Sequence, residues 1–317
     1  MRLVVALGGN ALLARGETPD ASVQEANVAR AVAALAPLAR HHELVVTHGN
    51  GPQVGVLALQ SASDPHLTTP YPFDVLGAQT QGMIGYWLLQ SLQNHLPGRQ
   101  IACIINQTLV SAADPAFAAP TKFIGEVYDE ARAHELAAER GWTVQPDGES
   151  WRRVVGSPEP RRVVETRLIR LLLGTGAVVV CAGGGGVPVI RNASGLLEGV
   201  EAVVDKDLTA SVLAEALDAD ALLILTDVAN VFRRFGSPDE EPITHATPAQ
   251  MRAEPFPAGS MGPKVDAACR FVEVTGGMAG IGRLEDAVEI VAGTAGTILT
   301  PSGEHIEMPP THEEDEP

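Results

Sequence analysis

Arg2-Leu3-Val4-Val5-Ala6-Leu7-Gly8-Gly9-Asn10 is the stretch that decides how this chain folds. From Leu3 to Leu7 no polar residue interrupts, which reads as a strand buried on both faces in a parallel sheet, and the run stops at a glycine pair. In a doubly wound α/β sheet, ligands bind at the carboxyl ends of the strands. Gly8 and Gly9 lack Cβ atoms, so backbone N–H groups can come close to an anion there. A tight β-to-α turn would use the same pair, and one instance leaves both readings open.

The transition recurs along the chain. Leu44-Val45-Val46-Thr47 runs into His48-Gly49-Asn50-Gly51-Pro52-Gln53, with Pro52 suited to open a helix. Ala177-Val178-Val179-Val180-Cys181 leads to Gly183-Gly184-Gly185-Gly186, and Ala221-Leu222-Leu223-Ile224-Leu225 ends at Thr226-Asp227. Consecutive glycines lose much backbone entropy on ordering, so they point to close approach of a very small ligand rather than to packing. His48 is a possible base, but a loop histidine more readily serves as a structural hydrogen-bonding group.

Helical spacing fills the intervals. It predicts helices over Ser22 to Arg40, with Ser22 as N-cap and Glu25 completing a capping box, over Asp74 to Leu96, and over Val163 to Leu173. The Met83, Ile84, Trp87, Leu88 and Leu92 stripe suits core or an oligomer interface. Ile101 to Ile105 reads as another strand. Further helices are predicted from Leu208, at Thr247-Pro248-Ala249-Gln250 with its own capping box, at Ser260-Met261-Gly262-Pro263-Lys264, and from Leu284. Between about 113 and 162 the α/β rhythm is lost, which marks an inserted subdomain or lid. It carries Lys122 and the pairs Arg152-Arg153 and Arg161-Arg162, basic residues that either draw in a phosphorylated ligand or are simply solvated.

Only three of the 22 basic residues are lysines: Lys122, Lys206 and Lys264. A compact ammonium on a flexible stem does what a planar guanidinium cannot, so these three read as a candidate cluster around one anion. Lys206 lies between Asp205 and Asp207, which could orient it or cap the helix that follows. Lys264 opposes the dipole of the helix it opens, and a bound anion would account for that.

The net charge of −17 argues against nucleic acid or an anionic membrane as main partner. Part of it sits in residues 303–317, an acidic tail expected to be disordered. Cys103, Cys181 and Cys269 are dispersed and expected to be buried thiols, and no metal site is indicated. No long apolar run appears, so a cytoplasmic protein is expected.

The P-loop, GxGxxG, HExxH and GxSxG signatures are absent. Glycine-loop N–H groups, three ammoniums and two aspartates remain, and these suit phosphoryl transfer, which rests on positioning and charge neutralisation. Leu7-Gly8-Gly9-Asn10-Ala11-Leu12, His48-Gly49-Asn50-Gly51-Pro52-Gln53-Val54-Gly55, Gly82-Met83-Ile84-Gly85-Tyr86-Trp87, Gly183 to Val189, Gly199 to Asp207 and Gly259 to Lys264 together resemble the carbamate kinases, in order, over residues 3–299.

The resemblance implies the amino-acid-kinase fold, a three-layer αβα sandwich with a mainly parallel central sheet. It implies residues 1–302 as the kinase domain with a lid over about 113–162, a homodimer, and reversible transfer between ATP and carbamate giving ADP and carbamoyl phosphate with Mg2+ on the nucleotide phosphates. By the same carry-over Lys122, Lys206, Asp207 and Lys264 are catalytic. Gly8, Gly9, Asn10, Gly49, Asn50, Gly51, Gly183, Gly184 and Gly185 bind substrate or phosphate, and Asp205, Thr226, Asp227, Met261 and Lys264 lie near the nucleotide. Phe123 and Gly156 stand where the pattern has proline, which implies a looser lid. The rivals are a kinase of this fold acting on another small carboxylate or phosphate, and a non-catalytic nucleotide sensor.

Overall fold

The computed structural model describes residues 1–304 except Arg15, Ala258 and Gly259, so the rest of the acidic tail lies outside the described residues. Leu3, Val5 and Leu7 point to one face of the first strand and Val4 and Ala6 to the other, and all five are fully buried. A strand covered on both faces needs helices on both sides. Helices Ala21–His41, Phe73–His95 and Ala287–Val291 pack with the Leu3 set, and Thr166–Leu173, Lys206–Ala216 and Met261–Thr275 pack with the Val4 set. Three layers result, as expected.

Eight strands form the central sheet, in the order His245–Ala246, Thr297–Leu299, Met278–Arg283, Ala221–Thr226, Arg2–Leu7, Glu43–His48, Val178–Val180 and Ile101–Cys103. All neighbours run parallel except Met278–Arg283 against Thr297–Leu299. Leu7 is in register with both His48 and Leu225. The two glycine turns and the Thr226-Asp227 pair that follow these strands therefore emerge side by side at one sheet edge.

Several boundaries differ from the sequence reading for local reasons. The first long helix is capped at Asp20, not Ser22. Gln24 N–H donates to the Asp20 carbonyl, and the Asp20 carboxylate accepts from Thr18 Oγ1 without capping the helix. Val163 pairs with Thr108 in a second, four-stranded sheet, so the helix expected from Val163 begins at Thr166. The strand expected through Ile105 stops at Cys103, after which the chain crosses to that second sheet. Asp205 caps its helix so that Lys206, not Leu208, is the first residue, and the last helix starts at Ala287 rather than Leu284. The capping box at Thr247 and Gln250 forms in full. Cys181 and Cys269 are buried, whereas Cys103 is partly exposed.

The segment read as having no rhythm is itself regular. Strands Lys122–Tyr128, Thr143–Asp147 and Ser150–Val155 make an antiparallel sheet with helix Glu130–Arg140 against it. Its buried cluster joins Ile124 and Val155 to Val54, Phe73 and Leu76 of the body. A Cβ on Gly55 would lie 2.6 Å from Gly125 Cα, so glycine at 55 lets the two backbones touch.

Candidate active site

The stretch Asp205-Lys206-Asp207 sits where the sheet's carboxyl edge meets the start of helix Lys206–Ala216. Asp205 divides its carboxylate. Oδ1 accepts the N–H groups of Asp207 at 2.9 Å and Leu208 at 3.3 Å, capping the helix, while Oδ2 accepts from Lys122 Nζ at 2.7 Å. Asp207 is buried, and its two oxygens take one lysine each: Oδ1 lies 2.5 Å from Lys206 Nζ and Oδ2 lies 3.0 Å from Lys264 Nζ. Lys206 opens one helix and Lys264 stands in the first turn of another. Both helix dipoles disfavour a cation there, and the shared carboxylate offsets that cost.

Burial alone would raise the Asp207 pKa, but the two ammoniums outweigh it and hold the carboxyl below its usual range. Burial pulls Lys206 downward, with repulsion from Lys264 adding to it against the attraction of Asp207. Lys264 is also penalised by burial, yet Asp207 prevails and the net shift is upward. Three ammoniums thus meet the carboxylates of Asp205 and Asp207 in a partly dry site, with Asp227 near enough to act on Lys264 as well. Lysines gathered this closely are held in place by the carboxylates and present their remaining donors to the sheet edge.

The glycine turns supply donors, though fewer than the sequence implies. Gly8 N–H is spent on Leu225 O at 2.8 Å, Gly49 N–H on Leu7 O at 3.1 Å and Gly185 N–H on Ala182 O at 3.0 Å. Among the described residues the N–H groups of Gly9, Asn10, Asn50, Gly51, Gly183 and Gly184 have no acceptor. Gly8 and Gly49 serve close approach instead: a Cβ on Gly49 would lie 3.1 Å from Gly9 Cα and 3.5 Å from Lys206 Cδ. One on Gly184 would meet Asn50 Nδ2 at 2.2 Å, and Gly184 has φ +63°. Asn10 Nδ2 donates to Asp227 Oδ2 at 2.8 Å and Thr226 Oγ1 to Asp227 Oδ1 at 3.1 Å, tying the first turn to the end of strand Ala221–Thr226. Met261 begins its helix and packs on the core.

His48 is buried, its Nδ1 lies 2.9 Å from Gly49 O, and burial lowers its pKa to about 4 despite that contact. It is neutral at physiological pH, which fits a structural group. Side chains without a sequence signal complete the turn. Ala182 has the left-handed φ of 53°, and its N–H donates to Asn106 Oδ1 at 2.6 Å. The Gln81 side chain in turn grips the Asn106 backbone, and Thr108 and Thr209 hydroxyls both donate to Gly185 O. Only their place beside the turn marks these residues.

Arg152 and Arg153 of the insert do not stand free to steer a ligand. Arg152 donates to Gly125 O and pairs with Asp147, and Arg153 pairs with Glu201. At the opposite edge of the sheet a groove of about 540 Å3 is lined by Met1, Arg40, His42 and Arg99 among others. There Arg2 and Arg99 donate to the carbonyls of Leu217 and His42, and Glu43, Asp218 and Asp220 share the groove with its basic residues, so its charges are mixed and no glycine turn lines it.

A mainly parallel sheet with a cluster of lysines and glycine turns at its carboxyl edge fits a kinase of the amino-acid type, and the chain belongs to the amino acid kinase family, whose sequence model matches residues 1–279. Among its relatives it is 51% identical to the carbamate kinase of Rhizobium meliloti (strain 1021), over 98% of this chain and 97% of the other. It is 49% identical to the carbamate kinase of Haemophilus influenzae, over 96% and 99%. The solved structure of the Giardia lamblia carbamate kinase bound to AMP-PNP superposes with a TM-score of 0.86 at 39% identity, over 94% and 98%.

Proposed function

We propose that this chain is a carbamate kinase, moving a phosphoryl group reversibly between ATP and carbamate to give ADP and carbamoyl phosphate. The observation that carries the reading is the convergence of Lys122, Lys206 and Lys264 on Asp205 and Asp207. The named relatives support the choice of acceptor. An oxygen of carbamate attacks the γ-phosphorus, and the bond from that phosphorus to the ADP oxygen breaks. Charge spreads over the transferred group, where the lysines and the free N–H groups of Gly9, Asn10, Gly183 and Gly184 neutralise it. Carbamate already carries an anionic oxygen, so no general base is required. The neutral, buried His48 is consistent with that.

Asp205, Thr226, Asp227, Met261 and Lys264 border the nucleotide in this reading, and Lys122 closes the site from an insert over about 113–162 that acts as a lid. The described residues offer no group of three or more His, Cys, Asp or Glu that could cage a metal. Both Asp205 and Asp207 are engaged by lysines, so Mg2+ would take its ligands from the nucleotide phosphates rather than from these carboxylates, and would neutralise phosphate charge there. The proposal includes a homodimer: the central sheet ends at Ile101–Cys103, and Tyr86, Ile105, Leu168 and Leu171 remain exposed on nearby elements. No helix among the described residues is long and apolar enough to cross a membrane, and a cytoplasmic site of action goes with substrates of this kind.

ATP formation from ADP and carbamoyl phosphate by the purified protein tests the reading. Inactivity with that donor at every accessible concentration would overturn it. Turnover with a different acyl phosphate alone would instead assign another kinase of this fold, and nucleotide binding without any turnover would assign a sensor.

A further inference from the structure

Lys122 is the lysine whose place is least determined by its own surroundings. It stands on the insert and its side chain is 41% exposed, against 12% for Lys206 and 18% for Lys264. What sets the attitude of the insert lies on the neighbouring strand. Arg153 pairs in register with Ile124, two residues along from Lys122.

The Arg153 guanidinium carbon lies 4.7 Å from the ring centroid of Phe73 and 4.6 Å from that of Trp142. Its Nη2 is 3.6 Å from Glu201 Oε1, and Glu201 Oε2 accepts the Phe73 N–H at 2.8 Å. One side chain thus joins Trp142 of the insert, the first residue of helix Phe73–His95, and a carboxylate four residues before Asp205. Alongside, Val203 N–H donates to Gly156 O at 3.0 Å. The apolar contacts of Ile124 and Val155 with the body are non-directional and hold the insert down without fixing its angle. A planar cation against two rings and a carboxylate is directional, and a lysine would not reproduce it.

We infer that Arg153 is a positioning residue: by clasping the insert to Phe73 and Glu201 it sets the Lys122 ammonium on Asp205. The kinetic part of this inference rests on the phosphoryl-transfer reading, whereas the placement of Lys122 does not.

The small number of lysines makes the placement measurable. Reductive dimethylation with 13C keeps the charge and labels Lys122, Lys206, Lys264 and the amino terminus, which are assigned by single lysine-to-arginine variants. In Arg153→Ala and Arg153→Gln, which add no lysine, the Lys122 signal is expected to move toward the position of a free dimethylammonium, while those of Lys206 and Lys264 stay. In turnover, Arg153→Ala is expected to lower kcat about tenfold in the wild-type background and less than about twofold in Lys122→Ala, since the group it positions is then absent. An unmoved Lys122 signal in the folded variants, or equal losses in both backgrounds, would overturn the inference. Where Arg153→Ala does not fold, Arg153→Gln and Glu201→Gln carry the same comparison. A wild-type protein inactive with carbamoyl phosphate removes only the kinetic arm and leaves the lysine spectrum to decide.

Discussion

The Nζ of Lys122 lies 2.7 Å from Oδ2 of Asp205, across 83 positions of sequence and from an inserted sheet to the main domain. Asp205 does not depend on that contact to hold its place, because its other oxygen caps a helix. Lys122→Ala should therefore leave stability within about 1 kcal/mol, as for other exposed ion pairs. Losing one charge contact to the transferred group should lower kcat by about 10²- to 10³-fold. Steady-state kinetics beside thermal denaturation separate the two, and a loss of stability matching the loss of rate would contradict this assignment.

Asp207→Asn should behave in the opposite way. It leaves the buried Lys206 and Lys264 ammoniums facing each other without their counter-charge, a situation that costs about 3–5 kcal/mol elsewhere. A polyanionic ligand would then replace the lost carboxylate. ADP or ATP should raise the melting temperature of Asp207→Asn by more than it raises that of the wild type. Equal ligand-induced shifts in the two proteins would show that the lysines do not face the nucleotide or the transferred phosphate.

His48 sets a pH dependence whose sign can be worked out. Burial lowers its pKa from 6.5 to about 4, so between those values the unfolded chain binds the proton and the native state does not. Stability from this group is complete above the unfolded pKa and declines as pH falls toward the folded one, by about 3 kcal/mol over the window. His48→Gln should flatten that part of the stability curve between pH 6.5 and about 4, measured by urea denaturation. Asp207 adds a loss at lower pH, because its depressed pKa gives stability that is present above the ordinary carboxylate value and disappears as pH falls through the folded one.

Much of this architecture is legible in the chain because parallel strands are uninterrupted apolar runs and three of them end in glycine turns, although packing against His48, Asn50, Val204 and Thr108 by itself demands glycine at 183–186. The three lysines are legible for a related reason, since their scarcity sets them apart. The insert is marked only by a loss of rhythm and its inner sheet is not legible, because the strands Lys122–Tyr128 and Thr143–Asp147 leave most of their side chains partly or fully exposed and show no clean alternation. Asn106, Gln81 and Arg153 act through contacts made only after the sheets assemble. The free donors were equally hidden: nothing in the sequence says that Gly8, Gly49 and Gly185 spend their N–H groups inside the protein.

Two glycines give opposite expectations for one substitution. At Gly183 a Cβ would lie 2.3 Å from His48 Nε2, and the ring cannot withdraw because Nδ1 is engaged with Gly49 O. Gly183→Ala should displace the turn, lower kcat at least about tenfold and cost about 1–3 kcal/mol, the range for overpacking a filled site. At Gly82, inside helix Phe73–His95, a Cβ would meet nothing within 4 Å. Gly82→Ala removes backbone freedom from the unfolded chain and should raise stability by about 0.4–1 kcal/mol with kcat unchanged. A kcat that is unaffected in Gly183→Ala would place the four-glycine turn outside the reacting site, whatever the stability of the variant.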